Sequence, residues 1–164
     1  MSDSPAALIT GGGSGIGAAT ARQLLGKGYR VAVTGRGEDR LRRFAKEMGS
    51  PAGLRTFTGD ASDYEDVRTA VESTVREFGR LNAVVADAGF ASLDDVADGD
   101  PAVWRDMVLT NVLGPALLIR DALPALKETR GRIVQLADAI VWAINQPTGV
   151  DVNTLTIRPV PSPL

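Results

Sequence analysis

The stretch Ala6-Ala7-Leu8-Ile9-Thr10-Gly11-Gly12-Gly13-Ser14-Gly15-Ile16-Gly17 decides how this chain folds. A short apolar run ends in five glycines within seven positions, and an amphipathic segment follows. This is how a buried strand delivers backbone amides to a phosphate at a helix N-terminus. Glycine serves there because some positions turn through positive φ, while others must lack Cβ so that backbone, helix or ligand can approach closely. The spacing is not G-x-G-x-x-G in strict register. It reads T-G-x-x-x-G-x-G on Thr10, Gly11, Gly15 and Gly17, and no Lys-Ser or Lys-Thr follows the glycines, which excludes a Walker-type loop.

Working outward, strands and helices alternate. Residues 16–27 form a helix that stops at Gly28, and residues 29–34 form a second buried strand. Leu41, Phe44, Ala45 and Met48 mark one face of a helix ending before Pro51. Leu54–Thr58 is a third strand. Ser62 with Glu65 predicts a capping box opening the next helix, whose apolar stripe is Val67, Ala70, Val71 and Phe78. Residues 81–86 make a fourth strand. Asp100-Pro101 is an N-cap with a first-turn proline, starting a helix that runs to about Lys127. Residues 132–136 then read as a fifth strand, 137–146 as a short helix and 150–158 as a last strand. Such alternation predicts an α/β fold, a doubly wound parallel sheet covered on both faces. The long helix is apolar nearly all round, through Val103, Trp104, Met107, Val108, Val112, Leu113, Leu117 and Leu118, so something besides the sheet must cover it.

At 164 residues and 44% hydrophobic content, the chain supports one core, and residues 1–164 are read as a single domain. A net charge of −2 leaves no excess of cations for a general nucleic-acid surface. The absence of Cys excludes thiolate metal sites and disulfides and fits a reducing compartment. The absence of His removes the commonest general base and metal ligand, so no metal site is expected and proton transfer falls to Tyr, Lys, Asp or Glu. Residues 1–5 have no basic region, and no apolar run reaches the roughly 18 residues of a membrane span. The expectation is a soluble, cytoplasmic protein without a nucleic-acid or membrane partner.

At the end of the second strand a dinucleotide-binding fold reads the ribose, an acid suiting a free 2′-hydroxyl and an arginine a 2′-phosphate. Gly35-Arg36 stands there, which favours NADP over NAD. The other reading leaves Arg36 as a solvated charge and gives the acidic role to Glu38. Asp60, after the third strand, is placed either to accept from an adenine amino group or to form a turn. Gly13-Ser14-Gly15-Ile16-Gly17 also spells the G-x-G-x-G of methyltransferases, a reading that Arg36 disfavours.

Thr10-Gly11-x-x-x-Gly15-Ile16-Gly17, Gly59-Asp60-Ala61, Ala86-Asp87-Ala88-Gly89 and Leu109-Thr110-Asn111-Val112-Leu113-Gly114-Pro115 together resemble the short-chain dehydrogenase/reductase family, over residues 6–136 without interruption. The resemblance implies a Rossmann-type sheet, an NAD(P) coenzyme, and hydride transfer between a carbonyl and an alcohol. It implies coenzyme contacts at Gly11, Gly13, Ser14, Gly15, Ile16, Gly17, Arg36, Asp60, Ala61, Asp87, Ala88 and Gly89, and a catalytic support role for Asn111 in a water relay. It also implies a small carbonyl or alcohol substrate and a homodimer or homotetramer. Asp87 departs from the family, which has Asn there, and a carboxylate cannot donate the amide's hydrogen bonds.

A second departure is larger. The family uses a Ser to polarise the carbonyl, a Tyr as acid or base, and a Lys four residues later that lowers the phenol's pKa. That shift, from near 10 to about 7, takes about 4 kcal/mol. The only tyrosines here are Tyr29, followed at the fourth position by Val33, and Tyr64, followed by Arg68. Residues 132–136 resemble the family's fifth strand, yet residues 137–147 already resemble its last large helix. The block bearing Ser, Tyr and Lys, together with the helix that covers the apolar one and builds the dimer, is absent between Leu136 and Ala137. A strand entering a helix without a loop is awkward, because such connections take about 2 to 6 residues. Omission of a block from a longer molecule is therefore expected, with Leu136 and Ala137 further apart than bonded neighbours. If the chain is as written, catalysis is lost and a non-catalytic NADP-binding module remains.

Overall fold

The computed structural model describes residues 4–92 and 97–135. Strand β1 (Ala6–Thr10) lies at the centre of a five-stranded parallel sheet, flanked by β2 (Arg30–Gly35) and β4 (Ala83–Ala86). β3 (Leu54–Thr58) lies outside β2, and β5 (Arg132–Gln135) outside β4, giving the order β3-β2-β1-β4-β5. The chain thus winds outward from β1 in one direction, then returns to its other side. That reversal opens a crevice at the carboxyl ends of β1 and β4, where folds of this type bind ligands.

Alternation along each strand sends neighbouring side chains to opposite faces. Leu8, Ala32 and Val84 pack with Val67, Val71, Phe78, Leu118, Ala122 and Leu126 of helices α3 (Tyr64–Phe78) and α5 (Gly114–Thr129). Ile9, Val31, Val33 and Val85 pack on the other face with Ala18 and Ala21 of α1 (Gly15–Gly26) and Leu41 and Phe44 of α2 (Glu38–Glu47). The stripes read from the sequence therefore enclose the doubly wound, Rossmann-type sheet that the alternation predicts.

Two helix starts differ in outcome. Asp100 caps α4 (Pro101–Val108), its Oδ1 accepting from the Ala102 amide at 2.8 Å. The expected Ser62 cap is not made. Ser62 donates its hydroxyl to Asp60 Oδ1 at 2.7 Å, and Asp63 caps α3 instead, accepting from the Asp66 amide at 3.0 Å. Asp60 wins the hydroxyl because an Asp two residues earlier closes a local side-chain turn.

The long helix runs unbroken from Pro101 to Thr129, but its middle, Leu109–Leu113, is a π-helical turn that the apolar pattern does not disclose. By length and composition alone this helix is long and apolar enough to cross a bilayer, as the core helix of a soluble protein can also be, although Arg105, Asp106, Arg120 and Asp121 interrupt its apolar run. Its α5 half nevertheless buries Leu118, Ala122 and Leu126 against the sheet. Val108 and Val112 are 58% and 64% exposed, and Leu113 and Leu123 are also exposed, so the all-round apolar helix does lack a second cover among the described residues. The expected helix 137–146, strand 150–158 and break at Leu136–Ala137 lie outside the described residues.

Candidate functional site

The Gly-rich loop is built by two close approaches. Gly11 turns at φ +72°, and a Cβ there would stand 2.9 Å from the backbone N and Cα of Ala88. Gly17 sits where a Cβ would meet the Gly11 carbonyl oxygen at 2.8 Å and an Asp87 carboxylate oxygen at 2.6 Å. Only glycine lets the first turn of α1 and the end of β4 close onto the loop together. Thr10 ties the same strand ends, its hydroxyl accepting from the Ala88 amide at 3.2 Å, while the Gly12 amide donates to the Thr34 carbonyl at 3.1 Å.

The result is a cleft of about 700 Å³ at the carboxyl end of the sheet. Of the residues expected to hold a coenzyme, Gly11, Gly13, Ser14, Gly15, Ile16, Arg36, Asp87, Ala88 and Gly89 line it. The Gly15 and Ile16 amides, at the positive end of the α1 dipole, donate to no acceptor among the described residues. Gly15 itself has φ +54° with open space on its Cβ side. The dimensions and donors suit a dinucleotide diphosphate.

Arg36 lines the cleft just beyond β2, and Arg40, which the sequence reading did not single out, lines it from α2. Arg40 is hidden in the sequence because it sits inside a helix. It reaches the cleft only because α2 begins directly after the Arg36 turn. Glu38, the competing acid, pairs with Arg42 at 2.6 Å on the exposed face of α2.

Asp60 and Ala61 do not line the main cleft. They border an adjoining hollow of about 10 Å³ with Thr10, Thr34 and Thr58, room for a water at most. Asp60 Oδ1 is taken by the Ser62 amide and hydroxyl, at 2.8 and 2.7 Å, which closes a local turn. Burial pushes the Asp60 carboxyl up, but the Ser62 bonds and the Arg36 charge outweigh it and leave the group below its ordinary range.

Asn111 lies in the π-helical turn beside Thr110 of the cleft wall. Its Oδ1 accepts from the Phe90 amide at 3.1 Å and its Nδ2 donates to the Phe90 carbonyl at 2.8 Å. This two-way clamp fixes the chain as it leaves Gly89, where an added Cβ would meet Asn111 Oδ1 at 2.9 Å. The Asp87 carboxylate lies beside Gly17, a neighbour that an amide side chain could equally have. Burial pushes its carboxyl above the usual carboxylate range, and the Gly17 backbone pulls part of that back.

Neither tyrosine borders this cleft. Tyr29 packs against the α1 and α2 side of the core, and Tyr64 opens α3, with the Arg120 guanidinium 5.0 Å from its ring centre. Among the described residues no group of His, Cys, Asp and Glu is arranged to hold a metal ion.

A parallel sheet wound both ways from β1, with a glycine cradle at its switch point, defines a Rossmann-type fold. The chain belongs to the short chain dehydrogenase family, whose pattern matches residues 5–140. It is 34% identical over 134 residues to an uncharacterised oxidoreductase of Staphylococcus saprophyticus, covering 80% of this chain and 57% of that protein. It is 34% identical over 144 residues to an L-fucose dehydrogenase of Bos taurus, covering 87% and 52%. Among solved structures, a short-chain dehydrogenase/reductase, glucose/ribitol dehydrogenase, from Brucella melitensis superposes with a TM-score of 0.76 at 31% identity, over 80% of this chain and 55% of that one. The chain spans about half the length of these relatives.

Proposed function

We propose that this chain is the coenzyme-binding portion of an NADP(H)-dependent short-chain oxidoreductase acting on a small carbonyl or alcohol. The observation that carries this reading is the cleft itself, with two unpartnered helix amides on one wall and Arg36 and Arg40 on the other. Bound NADP(H) would supply a hydride donor or acceptor. The chain's own residues divide the binding among them. The Gly15 and Ile16 amides face the diphosphate, Arg36 and Arg40 the 2′-phosphate, and Ala88 and Gly89 the ribose wall, while Asn111 holds the Phe90 backbone in place.

The 164 residues alone would bind without turning over. Both tyrosines of the sequence lie away from the cleft, and a missing proton donor costs about 10² to 10⁴ in rate. Titration with NADPH, followed by incubation with a panel of aldehydes and ketones, tests both halves. Saturable binding with no NADPH oxidation is the expected outcome. Turnover by this chain would refute the second half, and absence of binding the first. Intact mass of the purified natural protein, heavier than 17.2 kDa by several kilodaltons, would identify the chain as part of a longer enzyme able to dimerise or tetramerise.

A further inference from the structure

Among the described residues, Asp87 is the one acidic side chain that both lines the cleft and touches the glycine cradle. An oxygen of its carboxylate lies 2.6 Å from the Cβ position of Gly17, the residue that follows the two free donors along α1. A negative charge therefore lines the same cleft as the amides assigned to a diphosphate and abuts the next residue of the helix start. None of the salt bridges among the described residues includes it. Partly buried charges are screened by salt much less than exposed ones.

We propose that Asp87 sets the affinity of the coenzyme site: in its charged form it opposes the diphosphate across the Gly15–Gly17 turn, and in its neutral form it releases that opposition. The inference rests on the coenzyme reading given above. Its consequence follows from linkage, since a ligand repelled by the charged form must raise the group's pKa on binding, and each unit of that rise is a tenfold change in Kd. Burial already holds the free carboxyl above its usual range, which brings its titration closer to neutral pH. Arg36 and Arg40 face the same cleft from the β2 end and from α2, and Tyr29, Arg130 and Arg132 line the groove on the other side of Asp87. The guanidinium groups stay charged throughout.

The test is the Kd of NADPH for the wild-type chain and for Asp87→Asn, measured by NADPH fluorescence between pH 5 and 8.5. Asn has the shape and size of Asp, so the cradle keeps its form while losing the charge. The expected result is binding about tenfold tighter for Asp87→Asn at pH 8, with the advantage narrowing as the pH falls. Titration of the coenzyme's own 2′-phosphate acts on both proteins and cancels in the ratio. A ratio near one across the whole range overturns the proposal while leaving the coenzyme reading intact. Failure of both proteins to bind overturns the coenzyme reading and this inference with it. Should Asp87→Asn not fold, Asp87→Ser keeps a hydroxyl acceptor without charge, and the same comparison decides.

Discussion

Replacing Gly11 and Gly15 separately by alanine divides the cradle into its two physical requirements. Both residues have positive φ, +72° and +54°, so each alanine incurs the left-handed strain of about 1 to 2 kcal/mol. Both also gain the same stabilisation from a stiffer unfolded chain, about 0.4 to 1 kcal/mol. They differ in what the new methyl meets. At Gly15 nothing lies within 4 Å, whereas at Gly11 the methyl would stand 2.9 Å from Ala88 N and Cα and 3.2 Å from the Asp87 carbonyl carbon. All three are backbone atoms at the end of a central strand, so the conflict cannot be relieved by turning a side chain, and overpacking of this kind costs about 1 to 3 kcal/mol. Gly11→Ala should therefore be less stable than Gly15→Ala by about 1 to 3 kcal/mol, read as the difference in urea midpoint at constant m. Equal midpoints would refute the close approach of the loop to Ala88, and with it the geometry of the cleft.

Arg36→Ala should weaken NADPH about 10- to 100-fold and NADH much less, since a charged hydrogen bond contributes about 1.5 to 3 kcal/mol; equal loss for both coenzymes in calorimetric titrations would remove Arg36 from the 2′-phosphate. Asn111→Ala leaves the Phe90 amide and carbonyl without their partner and should lower stability by about 1 to 3 kcal/mol in thermal or urea unfolding, with an unchanged midpoint contradicting the clamp. Asp60 titrates below its ordinary value when folded, so its contribution to stability is present above about pH 4 and lost as pH falls through the folded value. Ser62→Ala should move the Asp60 titration upward in a carboxyl carbon NMR experiment and weaken the chain above about pH 4, neutral pH included, and an unmoved titration would show that the Ser62 hydroxyl does not hold the carboxylate.

The scaffold was legible because its signals are local. Leu8 and Ile9, Val31 and Ala32, or Val84 and Val85 announce opposite faces by alternation alone, and the glycines of the loop announce positive φ by composition. Capping was legible at Asp100, where Pro101 leaves one reading, and misread at Ser62, where Asp60 competes for the hydroxyl and hands the cap to Asp63. What escaped are contacts between residues far apart in sequence. Asn111 meets Phe90 because the long helix slips into a π turn, Asp87 meets Gly17 across two strand ends, and Arg40 reaches the cleft through the placement of α2. None of the three has a periodicity to betray it. The apolar surface of Val108, Val112 and Leu113 was legible as uncovered, yet no pattern within the described residues says what covers it.

The central claim is that a nicotinamide dinucleotide binds where β1 gives way to α1, with its 2′-phosphate between Arg36 and Arg40. Isothermal titration of this chain with NADPH and, separately, NADH tests it most directly. One saturable site with tighter binding of NADPH is the result expected; no measurable heat or saturation with either coenzyme would contradict the account.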